Sequence, residues 1–433
     1  MKRHIAIFFA LLLNVFLSHS QVASDVWDIL QDNADMAHRM GYQPYAVDSA
    51  KTRTLGIEVE ALVFFKDNEF DGNVQSGYSL PGVRLQPRLA YTPIDEIKLE
   101  LGLHATIYSG ANKYPCYAFH DIATWKGDQY QSGAHILPFF RATARFSNIT
   151  LAVGNIYGGA THRLIEPLYN PELILTDDPE MGVQMIVGTK RWHSDLWLNW
   201  QSYIFKESSH QEAFTVGWTQ GINLWKHAEE GVTHRLDLPI QLTTQHRGGE
   251  QDNTSLGVQT IGNGALGLAY EYRNDKNRVF NGILAEAMAL YCVQQSGHLW
   301  PFNGGPAVWA KASVDLIRDL RITTGYFFAN DFCSLYGSQY FGTLSTKHSR
   351  GRFNSMSTGL ISIEYSRTFA RVYTIGTHLK AYLCQAGALS VPADNKTHSE
   401  PYTMQGEFRT PFSFGVYFRC SPSFVLKRFG VSK

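Results

Sequence analysis

The sequence predicts an all-β protein: an up-and-down antiparallel barrel of about sixteen strands, in a range of about 14–18, that spans a membrane. Three observations carry this. Apolar and polar residues alternate with period two along most of the chain. The links between those segments alternate between short and long. Beyond the N-terminal leader, every apolar run is broken within a few positions by Arg, Lys, Glu, Gln or Gly, which leaves no stretch for a membrane helix.

The leader begins with the cationic Lys2, Arg3 and His4, continues with an apolar run from Ile5 to Leu17, and ends in the small residues of Ser18-His19-Ser20. That run is shorter than the roughly 20 residues a spanning helix needs, so residues 1–20 read as a secretory signal peptide. Residues 21–53 form a periplasmic extension in which 25–40 reads as a short helix. Ser24 is its N-cap, Asp25 and Asp28 lie in its first turn, Gly41 stops it, and Trp27, Leu30, Ala34 and Ala37 share a face. It is expected either as a plug for the barrel mouth or as a docked tail. Residues 54–433 form the barrel.

Ile97 to Tyr108 shows the strand pattern most clearly: Ile97, Leu99, Leu101, Leu103, Ala105 and Ile107 alternate with Lys98, Glu100, Gly102, His104, Thr106 and Tyr108. Leu55 to Phe65, Val83 to Tyr91, Phe140 to Phe146, Leu236 to Thr243, Ala310 to Asp315, Leu320 to Tyr326 and Phe412 to Arg419 repeat it. Short turns are expected at Pro93 to Glu96, Ser147-Asn148, Trp192 to Asp195, Lys226 to Thr233, Asn274 to Asn277, Ile317 to Asp319 and Ser366 to Thr368. The longer links include Asp67 to Pro81, Ser109 to Gly133, Gly158 to Glu180 and Asn330 to Ser355. Such alternation means one plain end and one elaborated end.

Composition agrees with a barrel, since aromatics make up 13% and charged residues 18%, where a soluble protein carries about a quarter. With 38 basic and 38 acidic side chains, no excess charge points to nucleic acid. The five cysteines are scattered without a Cys-x-x-Cys pair, so no metal site and no cofactor are expected, and Cys116 with Cys333 is the one loop pair to consider.

Alternation alone also suits a soluble sandwich, in which the polar face would meet water. Aromatics at strand ends (Tyr91, Phe146, Tyr157, Trp192, Trp225, Tyr270, Tyr272, Tyr365 and Phe369) favour girdles at a lipid boundary instead. A single unbroken meander of this length also exceeds one sandwich core. In these respects the chain resembles the Gram-negative outer-membrane β-barrels, particularly the sixteen-stranded porin-like class. The resemblance is architectural and carries no motif. It implies residence in the outer membrane, contact with outer-membrane lipid and lipopolysaccharide, handling by the barrel-insertion machinery, and room for a homo-oligomer. One departure is the end Phe429-Gly430-Val431-Ser432-Lys433, where such barrels close on an aromatic; either Phe408 to Arg419 or Phe424 to Phe429 is then the closing strand.

The expected lumen lining comprises Glu58, Glu60, Arg84, Arg88, Lys98, Glu100, Arg141, Arg145, Arg235, Asp237, Lys311, Asp315 and Arg321, with Lys190, Glu271, Glu286, Glu364, His378 and Lys380 in the same series. Acids of the first strand beside bases of the second predict cross-strand ion pairs. The stretch His162 to Tyr169 is a candidate inward constriction, so Arg163 and Glu166 are candidate binding residues. Gln245 to Asp252, with His246 and Arg247, and the rings of Trp197, Trp200 and Tyr203 are candidate glycan contacts at the rim. Asp177-Asp178 reads as a solvated turn.

The leading expectation is a channel for passive passage of small hydrophilic solutes. A closed barrel acting as a structural or glycan-binding surface protein is the alternative, and a lipid-modifying enzyme the second alternative. No Gly-x-Ser-x-Gly occurs, and pairing His104 with Ser109 or His348 with Ser349 is what sixteen histidines produce by chance. The barrel is therefore not expected to be an enzyme.

Overall fold

The computed structural model describes residues 40–41, 47–109, 134–249, 254, 257–298, 300–317, 319–393 and 399–430. The expected signal peptide, most of the expected 25–40 helix and Cys116 lie outside them. Among the described residues, sixteen antiparallel strands close into one barrel. They are β1 (Thr54–Glu69), β2 (Tyr78–Ile94), β3 (Ile97–Tyr108), β4 (Ala134–Phe146), β5 (Ile149–Asn155), β6 (Met181–Gly188), β7 (Trp192–Ser202) and β8 (Ala213–Glu229). There follow β9 (Val232–Arg247), β10 (Gln259–Asn274), β11 (Phe280–Ser296), β12 (Gly304–Leu316), β13 (Leu320–Ala329), β14 (Met356–Phe369) and β15 (Tyr373–Ala386). The last, β16, runs Phe412–Cys420 and, after a break at Ser421-Pro422, Ser423–Arg428.

Both halves of β16 pair with β1, from Glu69↔Phe412 to Thr54↔Arg428, and this closes the ring. Phe429 then donates its N–H to the Arg53 carbonyl and packs edge-on against Tyr91, so the barrel does end on an outward aromatic, four residues before the chain does. Closure satisfies the backbone without water, which an open sheet in hydrocarbon cannot do.

Alternation sorts the side chains as the sequence implied. Leu99, Leu101, Leu103 and Ile107 lie exposed on the outer wall, whereas Glu100, His104 and Thr106 are buried inside. Inward charges are paired: Glu58 with Lys98 at 2.7 Å, Glu60 with Arg419 at 2.9 Å, Asp237 with Arg235 at 2.6 Å, Glu286 with Lys311 at 3.2 Å, and Asp315 with Arg321 through two bonds of 2.7 and 2.8 Å. Glu100 gathers Arg88, Lys98 and Arg141 at 3.5, 3.3 and 3.6 Å.

Several local expectations change. Trp192 to Asp195 opens β7, because the turn is the tighter Thr189–Arg191, and Lys190 is an exposed residue of that turn instead of a lumen residue. Lys226 to Thr233 is mostly strand, since β8 and β9 continue to a two-residue turn at Glu230-Gly231. Tyr157 is no girdle residue: it is buried inside, its hydroxyl 2.8 Å from Thr143 and its ring under the Arg141 guanidinium at 3.9 Å.

A large apolar core lies at the long-loop end, the exterior end of such barrels, against the β10 to β15 side of the wall. Phe332, Tyr340, Phe341 and Leu344 of the 330–355 link pack there on Trp309, Phe327, Leu360 and Tyr382 of the wall.

Candidate functional site

The wall is lowest at β5 and β6, with seven and eight residues. The link between them, 156–180, turns into the lumen. Glycines open the path: Gly154 and Gly182 face each other across the pair, and Gly159 has φ +59. A Cβ on Gly182 would stand 2.0 Å from the Leu198 carbonyl oxygen, so only glycine permits that approach.

His162 ties this link down. Its Nδ1 lies 2.7 Å from Asp195 Oδ2 and its Nε2 3.1 Å from Glu180 Oε2, while its ring stacks on Trp197 with centroids 3.6 Å apart. Burial opposes charge on this ring, but Glu180 and Asp195 outweigh it and the pKa is pushed up to about 9. Gln184 donates to Asp195 at 2.9 Å and accepts the Tyr157 N–H at 2.8 Å, and Glu180 accepts the Gly159 N–H at 2.8 Å. A protonated histidine with both nitrogens engaged is a clamp, not a base.

The far side of the link is pinned as well. Glu166 accepts from Lys380 at 2.8 Å, and Glu172 accepts from Lys66, Tyr78 and, at 2.9 Å, Asn68. Burial raises the Glu172 carboxyl, yet Lys66 and the donors outweigh this and hold it below the ordinary carboxylate value. The link thereby divides the lumen. One pocket, about 840 Å³, lies against β12 to β16 and β1 and is lined by Lys66, Glu166, Glu364, His378 and Lys380. Another, about 470 Å³, lies behind β4 to β6 and is lined by Arg84, Arg141, Asp177, Asp178 and Glu180 among others.

Asp178 lines the smaller pocket, and its Oδ1 is 2.8 Å from Nε2 of His135, which points inward from the upper part of β4. Two arginines line the same pocket as Asp178, held by backbone carbonyls: Arg84 donates to Ile174 at 2.5 Å, and Arg141 donates to Ile156 at 3.1 Å and to Asn155. A carboxylate–imidazole pair beside two guanidinium groups can accept a proton and stabilise an oxyanion.

Among the residues singled out from sequence, all thirteen of the expected lumen lining point inward, but only Arg84 and Arg141 reach this pocket. Arg163 and Glu166 sit on the inward link, and Arg247 faces the lumen from the top of β9. Trp197 is buried under His162, whereas Trp200 stacks on Phe214 on the outer wall and Tyr203 is exposed above it. His246 also faces out, bonded to Thr260 at 2.9 Å, because it is out of phase with Arg247. Asp177-Asp178 is no solvated turn, since the link carries it inside. His104 is bonded to Gln86 and Thr106 and His348 to Tyr402 and Asn73, so neither is poised for its neighbouring serine. Sequence reasoning missed His135, whose place within a regular strand gives no local sign.

A family model described as Lipid A 3'-O-deacylase-type matches residues 47–429. It overturns the expectation that the barrel is not an enzyme. No curated protein sequence matches the chain. Solved structures similar to it include Acinetobacter baumannii OccAB4, at 8% identity and a TM-score of 0.46 over 87% of this chain and 100% of that one. Pseudomonas aeruginosa OccK8 (OprE) is similar at 12% identity and a TM-score of 0.43, over 87% and 100% of the two chains. The outer-membrane protein OmpT of Vibrio cholerae, with loop L8 deleted, is similar at 10% identity and a TM-score of 0.43, over 85% and 99%.

Proposed function

The chain belongs to the Lipid A 3'-O-deacylase-type family over residues 47–429, and on that premise we propose that it hydrolyses an acyl ester of a lipid A-like glycolipid in the outer membrane of a Gram-negative bacterium. The reading places the chemistry in the pocket behind β4 to β6. The Asp178–His135 pair takes a proton from water, and the water oxygen attacks the ester carbonyl carbon. Arg84 and Arg141 supply positive charge where the oxyanion forms. Collapse breaks the bond between the acyl carbon and the sugar oxygen, the sugar oxygen takes up the proton, and a fatty acid leaves. The observation that carries this assignment is the 2.8 Å contact of His135 with Asp178, a carboxylate that shares its pocket with the half-buried Arg84 and the buried Arg141.

The test is mass spectrometry of lipid A from a Gram-negative host producing the full chain. The expected result is loss of one ester-linked acyl chain. Asp178→Asn, which keeps the volume and removes the carboxylate that orients His135, should slow it by about 10²–10⁴. Unchanged lipid A from a folded, heat-modifiable barrel would overturn the reading. A second reading, passage of small hydrophilic solutes along the 840 Å³ polar pocket, would then take its place if the same protein conducts in planar bilayers.

A further inference from the structure

Among the described residues, the barrel wall has a gap above β5 and β6. β4 and β5 pair only from Arg141↔Gly154 to Phe146↔Ile149, so Ala134–Phe140 of β4 rises above the end of β5. At about 3.3 Å per residue, roughly 20 Å of β4 extends beyond the strand ladder on its β5 side among the described residues. On the other flank, β6 pairs with β7 only as far as Gly182↔Asn199, and Trp200 to Ser202 continues above it.

Edges left open in hydrocarbon are costly, and these are finished with care. The Phe140 N–H, which points to the β5 side, is met by Asn155 Oδ1 at 2.8 Å. Two residues further up on the same side the chain has Pro138, which has no N–H to satisfy. The Met181 N–H at the top of β6 is met by Asn199 Oδ1 at 3.1 Å. The outer rim is apolar, with Ile136, Phe140, Val153, Met181, Val183 and Trp200 exposed. Immediately inside lie Arg141, Asp178 and Glu180 of the smaller pocket.

We propose that this gap is a lateral entrance through which an outer-leaflet glycolipid passes its polar head inward while its acyl chains stay against the apolar rim. The inference rests on the hydrolase reading for its substrate class. A hydrocarbon rim joined to a cationic and acidic interior suits a molecule with both characters, and a soluble solute would have no use for the rim. The gap lies at the exterior end of the wall, where glycolipid of the outer leaflet resides.

The experiment uses the full barrel in vesicles containing both lipid A and phospholipid. A photoreactive benzoylphenylalanine replaces Phe140 at the gap or, as reference, Leu266 on the outer face of β10, 51% exposed and far round the wall. Adducts are identified by mass spectrometry. The expected result is a ratio of lipid A to phospholipid adducts severalfold higher at position 140 than at position 266. Equal ratios would overturn the entrance, and so would a crosslink from position 140 to a second copy of the chain, which would make the gap an oligomer interface. Adduct formation is read without turnover, so the two proposals fail separately. Enriched adducts without deacylation would retain the entrance and remove the hydrolase, whereas deacylation with equal adducts would do the reverse.

Discussion

At the residue scale, His162 carries the sharpest prediction. The raised pKa of this ring means that folding the link is coupled to holding a proton. The stabilisation is complete below the ordinary value of 6.5 and is lost as pH rises through about 9, where the neutral ring no longer offsets Glu180 and Asp195. Hydrogen exchange of amides in 156–180, corrected for the intrinsic pH dependence of exchange, should therefore show protection falling between pH 7 and pH 10 relative to the wall strands. His162→Gln keeps polar contacts without a titratable charge, so its protection should be lower and flat across that interval. A wild-type profile as flat as the variant's would show that charge on this ring does not hold the link.

At the scale of elements, β5 and β6 decide the character of the molecule by being short. Their glycines send the chain inward, and the side chain of Asn155 replaces the missing strand for one bond. Asn155→Ala leaves the Phe140 N–H without an acceptor at the lipid boundary, a loss of about 1–3 kcal/mol for an unsatisfied buried donor. The temperature at which the fast-migrating folded band disappears on gels should drop for this variant and recover in Asn155→Asp, which keeps an acceptor oxygen. Equal temperatures for all three proteins would mean that water or lipid satisfies the edge. The strands themselves were legible because an inward or outward choice at every second residue writes itself into the sequence, as in Ile97 to Tyr108. Turns were less so: Trp192-His193-Ser194-Asp195 is polar enough to read as a turn yet opens β7, because Ser194 faces outward but accepts from Trp218 Nε1 at 2.8 Å. The pocket was hardest to read. Asp178 and His135 are 43 residues apart, and their meeting depends on a link whose inward path no periodicity encodes.

For the whole molecule, the closed ring and the cap at its exterior mouth pull function in different directions. A ring of sixteen strands is wide enough for water, as the solute-channel expectation supposed. The mouth, however, is packed like a protein interior: Phe341 is fully buried, with Trp309, Phe327 and Tyr382 rings at 5.0, 5.4 and 5.9 Å. Where it packs, against the β10 to β15 side, such a core excludes hydrated solutes. If the cap is the barrier, Phe341→Ala should loosen it, since emptying a buried phenylalanine site costs about 3–5 kcal/mol of packing. Single-barrel recordings in planar bilayers should then show a mostly closed wild type and frequent openings in the variant, while deacylation at the pocket behind β4 to β6 persists. A wild type that already conducts steadily, or a variant as silent as the wild type, would move the barrier from the apolar cap to the inward link held by His162, Glu166 and Glu172.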